Sequence, residues 1–428
     1  MKKNNRSALF LTVGDHQQNR LNLYPNVHLA CRFPLGERWG QALKTVCSPV
    51  IKLDLRASYL KVGYQKTNQL IIEKMYCHRP KYLIWTADSD FEISEAVLIQ
   101  AAELGVKRIG IFFDDLTMFD YYPRYWLAYL DYAVTVDSYQ SLKQYQALGI
   151  PALFEPCCAS RQIYQRKNLL FKYPVSFVGT SYGPRQQLVQ ELAKSGIEVA
   201  TFGSGWNKQG YISTDEMVNI YNSSKINLNF TNDSRQLRTR MFEVCLSGGF
   251  LLTQPAFGLE KLFKIGREIE VFKTIPEAMA KIKYYLHHEK KRQAVAQAGY
   301  LKAIKHYTLE AMFLRIFKAI ESGKLPRIKL KRELMNQLMI KKRNLRLSYQ
   351  HAALAIARYF EDNRPELWQE EIELAKKYSC RNALIRLFYC YRLVPKPVAK
   401  IISQGVNQIF KLLRKVYWLQ NLIIKTIY

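Results

Sequence analysis

The stretch RMFEVCLSGGFLLT, positions 240 to 253, contains a helix, a stop and a strand in succession. Met241, Phe242, Val244, Cys245 and Leu246 form an apolar run suited to a buried helix. Ser247-Gly248-Gly249 ends it, and Phe250-Leu251-Leu252-Thr253 reads as a buried strand. Glycine just past a helix is a common stop, because it takes the left-handed backbone without a steric penalty. A helix that closes on glycine and enters a short apolar strand is half of a βαβ unit. Arg240 and Glu243 stand three apart, so both can share one helix face. A carboxylate in that place can accept ribose hydroxyls, and the neighbouring Arg can reach a diphosphate. A surface ion pair is the other use of the same spacing.

The alternation continues outward from this stretch. Upstream, 226–230 reads as a strand, 214–223 as a helix, 198–202 as a strand, 185–195 as a helix and 175–178 as a strand; 276–286 and 290–306 downstream are helical. Nearer the N-terminus, 8–13, 82–86, 108–113 and 132–136 are short apolar runs of the kind that make parallel strands buried on both faces. Helical stretches 94–104 and 138–148 separate them, with Gly105 and Gly149 at the C-cap positions. The pattern predicts an α/β protein with two Rossmann-like domains, 1–165 and 166–325, whose parallel sheets face each other across a cleft. A basic helical extension, 326–428, follows, divided by Pro365, Pro395 and Pro397.

Composition narrows the class. Of 428 residues 48% are hydrophobic, enough to bury a large core and too many for a disordered chain. No run is long and apolar enough to predict a membrane span, and the opening MKKNNRSALFLTV lacks the apolar length and cleavage site of a signal peptide. The 8 cysteines form no CxxC pair and no Cys/His set with zinc spacing, so reduced thiols and a cytoplasmic location are expected. The net charge of +29 admits nucleic acid, an anionic membrane or phosphorylated substrates. From Pro326 onward there are 21 Lys and Arg against 7 Asp and Glu, and no acidic residue follows Glu373. The segment 399–428 carries Ile402, Val406, Ile409, Leu413, Val416 and Leu419 at helical spacing among lysines and arginines. That is the form of a helix on an anionic membrane surface, or of one packed on the protein body with its cations outward. Its aromatics sit within apolar stripes rather than on a basic platform, so no nucleic-acid partner is expected.

A second turn invites phosphate. The strand 175–178 runs into Gly179-Thr180-Ser181-Tyr182-Gly183-Pro184-Arg185 and then a helix. Such a turn exposes backbone N–H groups, and Arg185 would add a bidentate charge partner. It matches neither GxGxxG nor the Walker A pattern, and a tight turn without a ligand is an equal reading.

The ordered blocks FVGTSYGPR (177–185), FGSGW (202–206), SKINLNF (224–230), RMFEVCLSGGFLLT (240–253), GLEKLF (258–263) and AGYLKAIKHYT (298–308) resemble the C-terminal half of GT-B glycosyltransferases, in the glycosyl transferases group 1 family and its CgeB-like members. FFDDLTMFD (112–120) and DYAVTVDSYQSLKQYQALG (131–149) extend the resemblance into the first half. It implies a nucleotide-sugar donor and a glycan, glycolipid or other envelope-related acceptor. Glu243 would hold the ribose and Arg240 would face the diphosphate. Gly179 and Arg185 would lie on the phosphate loop, Gly248 and Gly249 would let the backbone approach the donor, and Glu260 would sit in an acidic turn. Arg238 is a further cation for the leaving diphosphate. Retaining members carry a second Glu eight positions before the ribose Glu; Arg235 stands there in this chain. The departure leaves the stereochemical outcome open and admits a second reading, a non-catalytic paralogue that binds a glycan or protein partner.

The resemblance also implies that no divalent metal or other cofactor is needed. Asp114-Asp115 could be offered as a metal pair, but they fall in the acceptor half. If the reaction inverts, a base should follow a strand end facing the cleft. Asp115 is the first candidate and His16 the second, ahead of Asp15, Asp88, Asp90 and Asp114; a capping or turn role is the alternative for Asp88 and Asp115, and a loop histidine without a role the alternative for His16.

Overall fold

The computed structural model describes residues 6–12, 35–87, 93–120, 122–181, 183–206, 210, 212–231, 233–325, 337–361, 364–380 and 383–393. His16, Asp15, Asp88, Asp90 and the segment 399–428 lie outside the described residues.

The first sheet contains β1 (Ala8–Thr12), β2 (Val50–Asp54), β3 (Tyr82–Ala87), β4 (Lys107–Phe112), β5 (Tyr132–Thr135) and β6 (Ala152–Phe154), in the order β2-β1-β3-β4-β5-β6. The second contains β7 (Tyr173–Val178), β8 (Ala200–Phe202), β9 (Ser224–Asn229), β10 (Leu251–Thr253) and β11 (Glu270–Val271), in the order β11-β10-β9-β7-β8. Every pairing is parallel. The five residues of β1 are all buried, and so is most of β9, which is why those strands read as apolar runs rather than alternating ones. Two parallel α/β domains with this arrangement are the GT-B fold.

The helix Leu309–Glu321 returns to the first domain, although its sequence lies within 166–325. Phe313 meets Trp39 edge-on at 5.6 Å, Glu321 pairs with Arg6 at 2.6 Å, and Arg315 pairs with Glu155 at 2.8 Å. Its strongly one-sided apolar face, Met312, Phe313, Ile316, Phe317 and Ile320, accounts for this, since it is buried against Trp39 of the helix Leu35–Val46 and Tyr82 of β3.

The described part of the extension packs on the first domain through buried charge. Arg358 and Glu371 are both wholly buried and lie 3.4 Å apart. Arg358 donates to the Tyr59 carbonyl at 2.9 Å, and His351 Nδ1 lies 2.8 Å from Glu371. Gly63, at φ +85°, precedes the helix Tyr64–His78, which has no side-chain cap of its own. The carboxylate of Glu370 accepts from the backbone N–H groups of Gln65 at 2.7 Å and Tyr64 at 3.3 Å. Residues 306 and 305 positions apart thus share one helix cap. A Cβ at Gly63 would overlap that carboxylate.

Candidate functional site

Residues that follow C-terminal strand ends of the two sheets meet, the Leu237 N–H donating to the Asp137 carbonyl at 2.8 Å and Arg238 lying 3.5 Å from Asp114; such strand ends are where open α/β sheets hold their ligands. At the second sheet, Glu243 stands in the first turn of the helix Arg240–Leu246 and is only 6% exposed. Its Oε1 accepts from the Tyr164 hydroxyl at 2.7 Å and its Oε2 from the Tyr221 hydroxyl at 3.3 Å. Burial pushes this carboxyl above its ordinary range, against the opposing pull of the Tyr164 hydroxyl and of Arg240 and Arg38 nearby.

Arg240 is half-buried, donates to Asn229 Oδ1 at 2.9 Å, and sets its guanidinium over the Phe177 ring at 5.1 Å. The Arg185 guanidinium lies over the same ring at 5.5 Å. The two proposed phosphate cations and the carboxylate therefore belong to one neighbourhood, linked by Phe177 at the end of β7. Gly179, at φ +156°, is part of it: a side chain there would run into Nη2 of Arg240.

The structure gives four of the expected sites surroundings that the sequence does not show. Arg185 is 4% exposed and donates to the backbone carbonyls of Thr180 at 2.9 Å and Phe230 at 3.4 Å. It ties the Gly179 loop to the end of β9 rather than presenting itself to a ligand. Gly248 and Gly249 stand at the far end of their helix, where a Cβ would strike Arg166 at 2.9 Å and Asn227 at 2.7 Å. The space beside them is filled by protein, and their job is to end the helix and pack it. Glu260 is exposed in the short helix Leu259–Leu262, beside Lys261, whose Nζ lies 4.6 Å from the Tyr139 ring of the first domain.

Asp115 is the fourth. It is wholly buried, accepts from the Tyr145 hydroxyl at 2.9 Å, and is pushed by burial from an ordinary 3.8 to about 6, with Ser141, Thr135 and Tyr145 pulling the other way. Its carboxylate is thus enclosed by its own domain. Its neighbour Asp114 is exposed, at φ +49°, and lies 3.5 Å from Arg238 of the second domain. The two aspartates thus differ in surroundings, one exposed beside Arg238 and the other buried beside Tyr145. Asp137, buried behind them, accepts from the Asp114 N–H, and its carboxyl is pushed up by burial and by Asp114 and Asp115.

Two contributors escaped the sequence reading. Arg38, in the helix Leu35–Val46 of the first domain, donates to Thr214 Oγ1 at 3.0 Å across the cleft and bears electrostatically on Glu243 and Tyr164. Nothing local marks Arg38; only the tertiary fold brings it there. Asn229 was within reach of sequence reasoning, since the alternation Asn227-Leu228-Asn229 places polar groups on one face of an otherwise buried strand.

Comparison with known proteins agrees with the fold. Residues 185–317 match a family model described as "Glycosyl transferase-like". The chain is similar to a sucrose-phosphate synthase from Thermosynechococcus elongatus, with 10% identity and a TM-score of 0.50, covering 74% of this chain and 99% of that one. It is similar to a glycosyltransferase from Rickettsia africae ESF-5, with 12% identity and a TM-score of 0.51, covering 75% and 99%. No curated protein matches it in sequence.

Proposed function

We propose that this chain transfers a sugar from a nucleotide-sugar donor to a glycan, glycolipid or other envelope-related acceptor. The observation that carries the reading is the buried Glu243 carboxylate beside Arg240 and Arg38, at the strand ends of a GT-B cleft. An ionised carboxylate offers about four acceptor positions. The Tyr164 and Tyr221 hydroxyls leave capacity on each oxygen for a ribose hydroxyl. Arg240, half-buried and steered by Asn229, supplies a cation for the diphosphate, and Arg38 and Arg238 add two more around the cleft. Fixed cations of this kind stabilise a departing diphosphate without reorganising during reaction. On this reading no divalent metal is required, the CgeB-like group is the subfamily, and the protein works in the cytoplasm or on the inner face of a membrane.

Arg235 favours a second reading. It forms a bidentate pair with Asp233, at 2.8 and 2.6 Å, where retaining relatives place a carboxylate. A non-catalytic paralogue that keeps the fold and binds a glycan or protein partner would look the same there.

The test is calorimetric titration of the full chain with UDP, GDP and TDP, and with their sugar conjugates. One nucleoside diphosphate binds the wild type and fails with Glu243→Ala. If none binds, the donor site is refuted; if one binds but its sugar conjugate is neither transferred nor hydrolysed, the paralogue reading stands.

A further inference from the structure

The segment joining the two domains contains Leu169-Leu170-Phe171, and these consecutive apolar residues are 40%, 88% and 46% exposed. Exposed apolar residues scattered singly are ordinary, but a contiguous run at the exposed tip of a loop is a surface feature with a use. The tip is built rather than slack. On one side, the Lys167 N–H donates to Asn222 Oδ1 at 2.6 Å and the Asn222 amide donates to the Gln165 carbonyl at 3.0 Å. On the other, the Lys172 N–H donates to the Ser223 carbonyl at 2.8 Å. The Phe171 ring lies 4.8 Å from the guanidinium of Arg292, which is itself buried and fixed on the Lys225 carbonyl at 2.7 Å.

The surroundings are cationic. Arg166, Lys167 and Lys172 flank the triplet and are exposed, and 166–172 holds no acidic residue. Lys290 and Lys291, exposed, precede Arg292 on the adjacent helix; the carboxylate of Glu289 is taken by Arg292. The tip precedes β7, so it lies at the end of the second domain opposite Gly179 and the cleft. A surface bound there leaves the cleft open.

We propose that this tip docks the protein on an anionic lipid bilayer, with Leu169, Leu170 and Phe171 entering the headgroup boundary and the surrounding cations meeting lipid phosphates. Charge complementarity points to lipid: apolar wedge and cationic ring together match an anionic interface. A protein interface needs roughly 800 Å² from each partner, far more than three side chains at a narrow tip provide. The triplet belongs to a different stretch of sequence from 399–428, and the proposal is independent of the donor-site reading.

The experiment is cosedimentation of the full chain with vesicles of phosphatidylglycerol in phosphatidylcholine, against pure phosphatidylcholine. The wild type pellets with the anionic vesicles, less so as salt rises. A full-chain variant carrying Leu169→Ser, Leu170→Ser and Phe171→Ser loses about tenfold in partitioning while its circular dichroism and nucleotide binding stay those of the wild type. A second full-chain variant, Lys411→Glu with Arg414→Glu and Lys415→Glu, keeps the tip-dependent binding. Equal vesicle binding by the wild type and the serine variant overturns the proposal. So does loss of binding in the glutamate variant alone. Absence of vesicle binding together with wild-type self-association that the serine variant abolishes also overturns it, and makes a second copy the occupant.

Discussion

The Tyr164 hydroxyl lies 2.7 Å from Oε1 of Glu243, so a residue of the interdomain segment holds the carboxylate on which the proposed donor site is centred. Tyr164 is buried, and the nearby carboxylate raises its own pKa further after burial has done most of that work. Tyr164→Phe removes one charge-assisted donor and leaves Tyr221 in place. The expected loss is about 2 kcal/mol of stability, read by urea unfolding. An unchanged unfolding midpoint would show that the contact contributes nothing.

Glu243→Gln keeps the shape of the site and removes its charge. We expect nucleoside diphosphate affinity to fall at least about tenfold, about 1.4 kcal/mol, because a ribose hydroxyl then meets a neutral acceptor. Isothermal titration decides this, and equal dissociation constants would exclude Glu243 from donor binding.

Arg38 reaches the second domain from the first, donating to Thr214 at 3.0 Å. Arg38→Ala should weaken donor binding about tenfold, the worth of one charge-assisted hydrogen bond, while Arg185→Ala should act mainly through stability, since Arg185 serves backbone carbonyls. Paired affinity and unfolding measurements on both variants separate the two roles; the same affinity loss in both would contradict the assignment.

Asp115 carries a pH signature. Its carboxyl is raised from 3.8 to about 6 in the folded protein, chiefly by burial. A raised acid makes its full contribution below the unfolded value and loses it as pH climbs through the folded one, because the native state then binds the extra proton. Wild-type stability should therefore fall between about pH 4 and pH 6 by something of the order of 3 kcal/mol from this group. Asp115→Asn should flatten that slope, with the two curves meeting at acid pH. Parallel stability–pH curves would rule the effect out.

The extension offers a double-mutant test. Arg358→Met strands Glu371 without its cation in a wholly buried place and should cost about 3–5 kcal/mol. Adding Glu371→Leu should recover much of the loss, because the penalty comes from the uncompensated charge. Additive losses would mean that the pair does not interact.

Much of the fold was legible because parallel strands announce themselves as short apolar runs. The helix 214–223 lies where its periodicity and its hydroxyl N-cap put it, and 240–246 where its glycine stop does. Val50–Asp54 went unread: it is an edge strand, half-exposed along its length, and Lys52 interrupts its apolar run. Glu270–Val271 is too short to carry a pattern. At the proposed donor site, residue type and spacing single out Glu243 and Arg240, which the structure places close together. Burial was invisible, so Asp115 looked like a base and Arg185 like a ligand, while each serves its own domain. Arg38 could not be found from its neighbours in sequence, since its partner Thr214 is 176 positions away.

The cap that Glu370 places on the helix Tyr64–His78, and the pair between Arg6 and Glu321, set an order on biosynthesis. The first domain leaves the ribosome long before the residues that close it, so Arg6 waits unpaired until Glu321 has been translated and the helix start waits uncapped until Glu370 has. Completion of the N-terminal half is thus a late event, and a nascent chain truncated before residue 309 would expose the apolar face meant for Phe313 and Phe317 to chaperones.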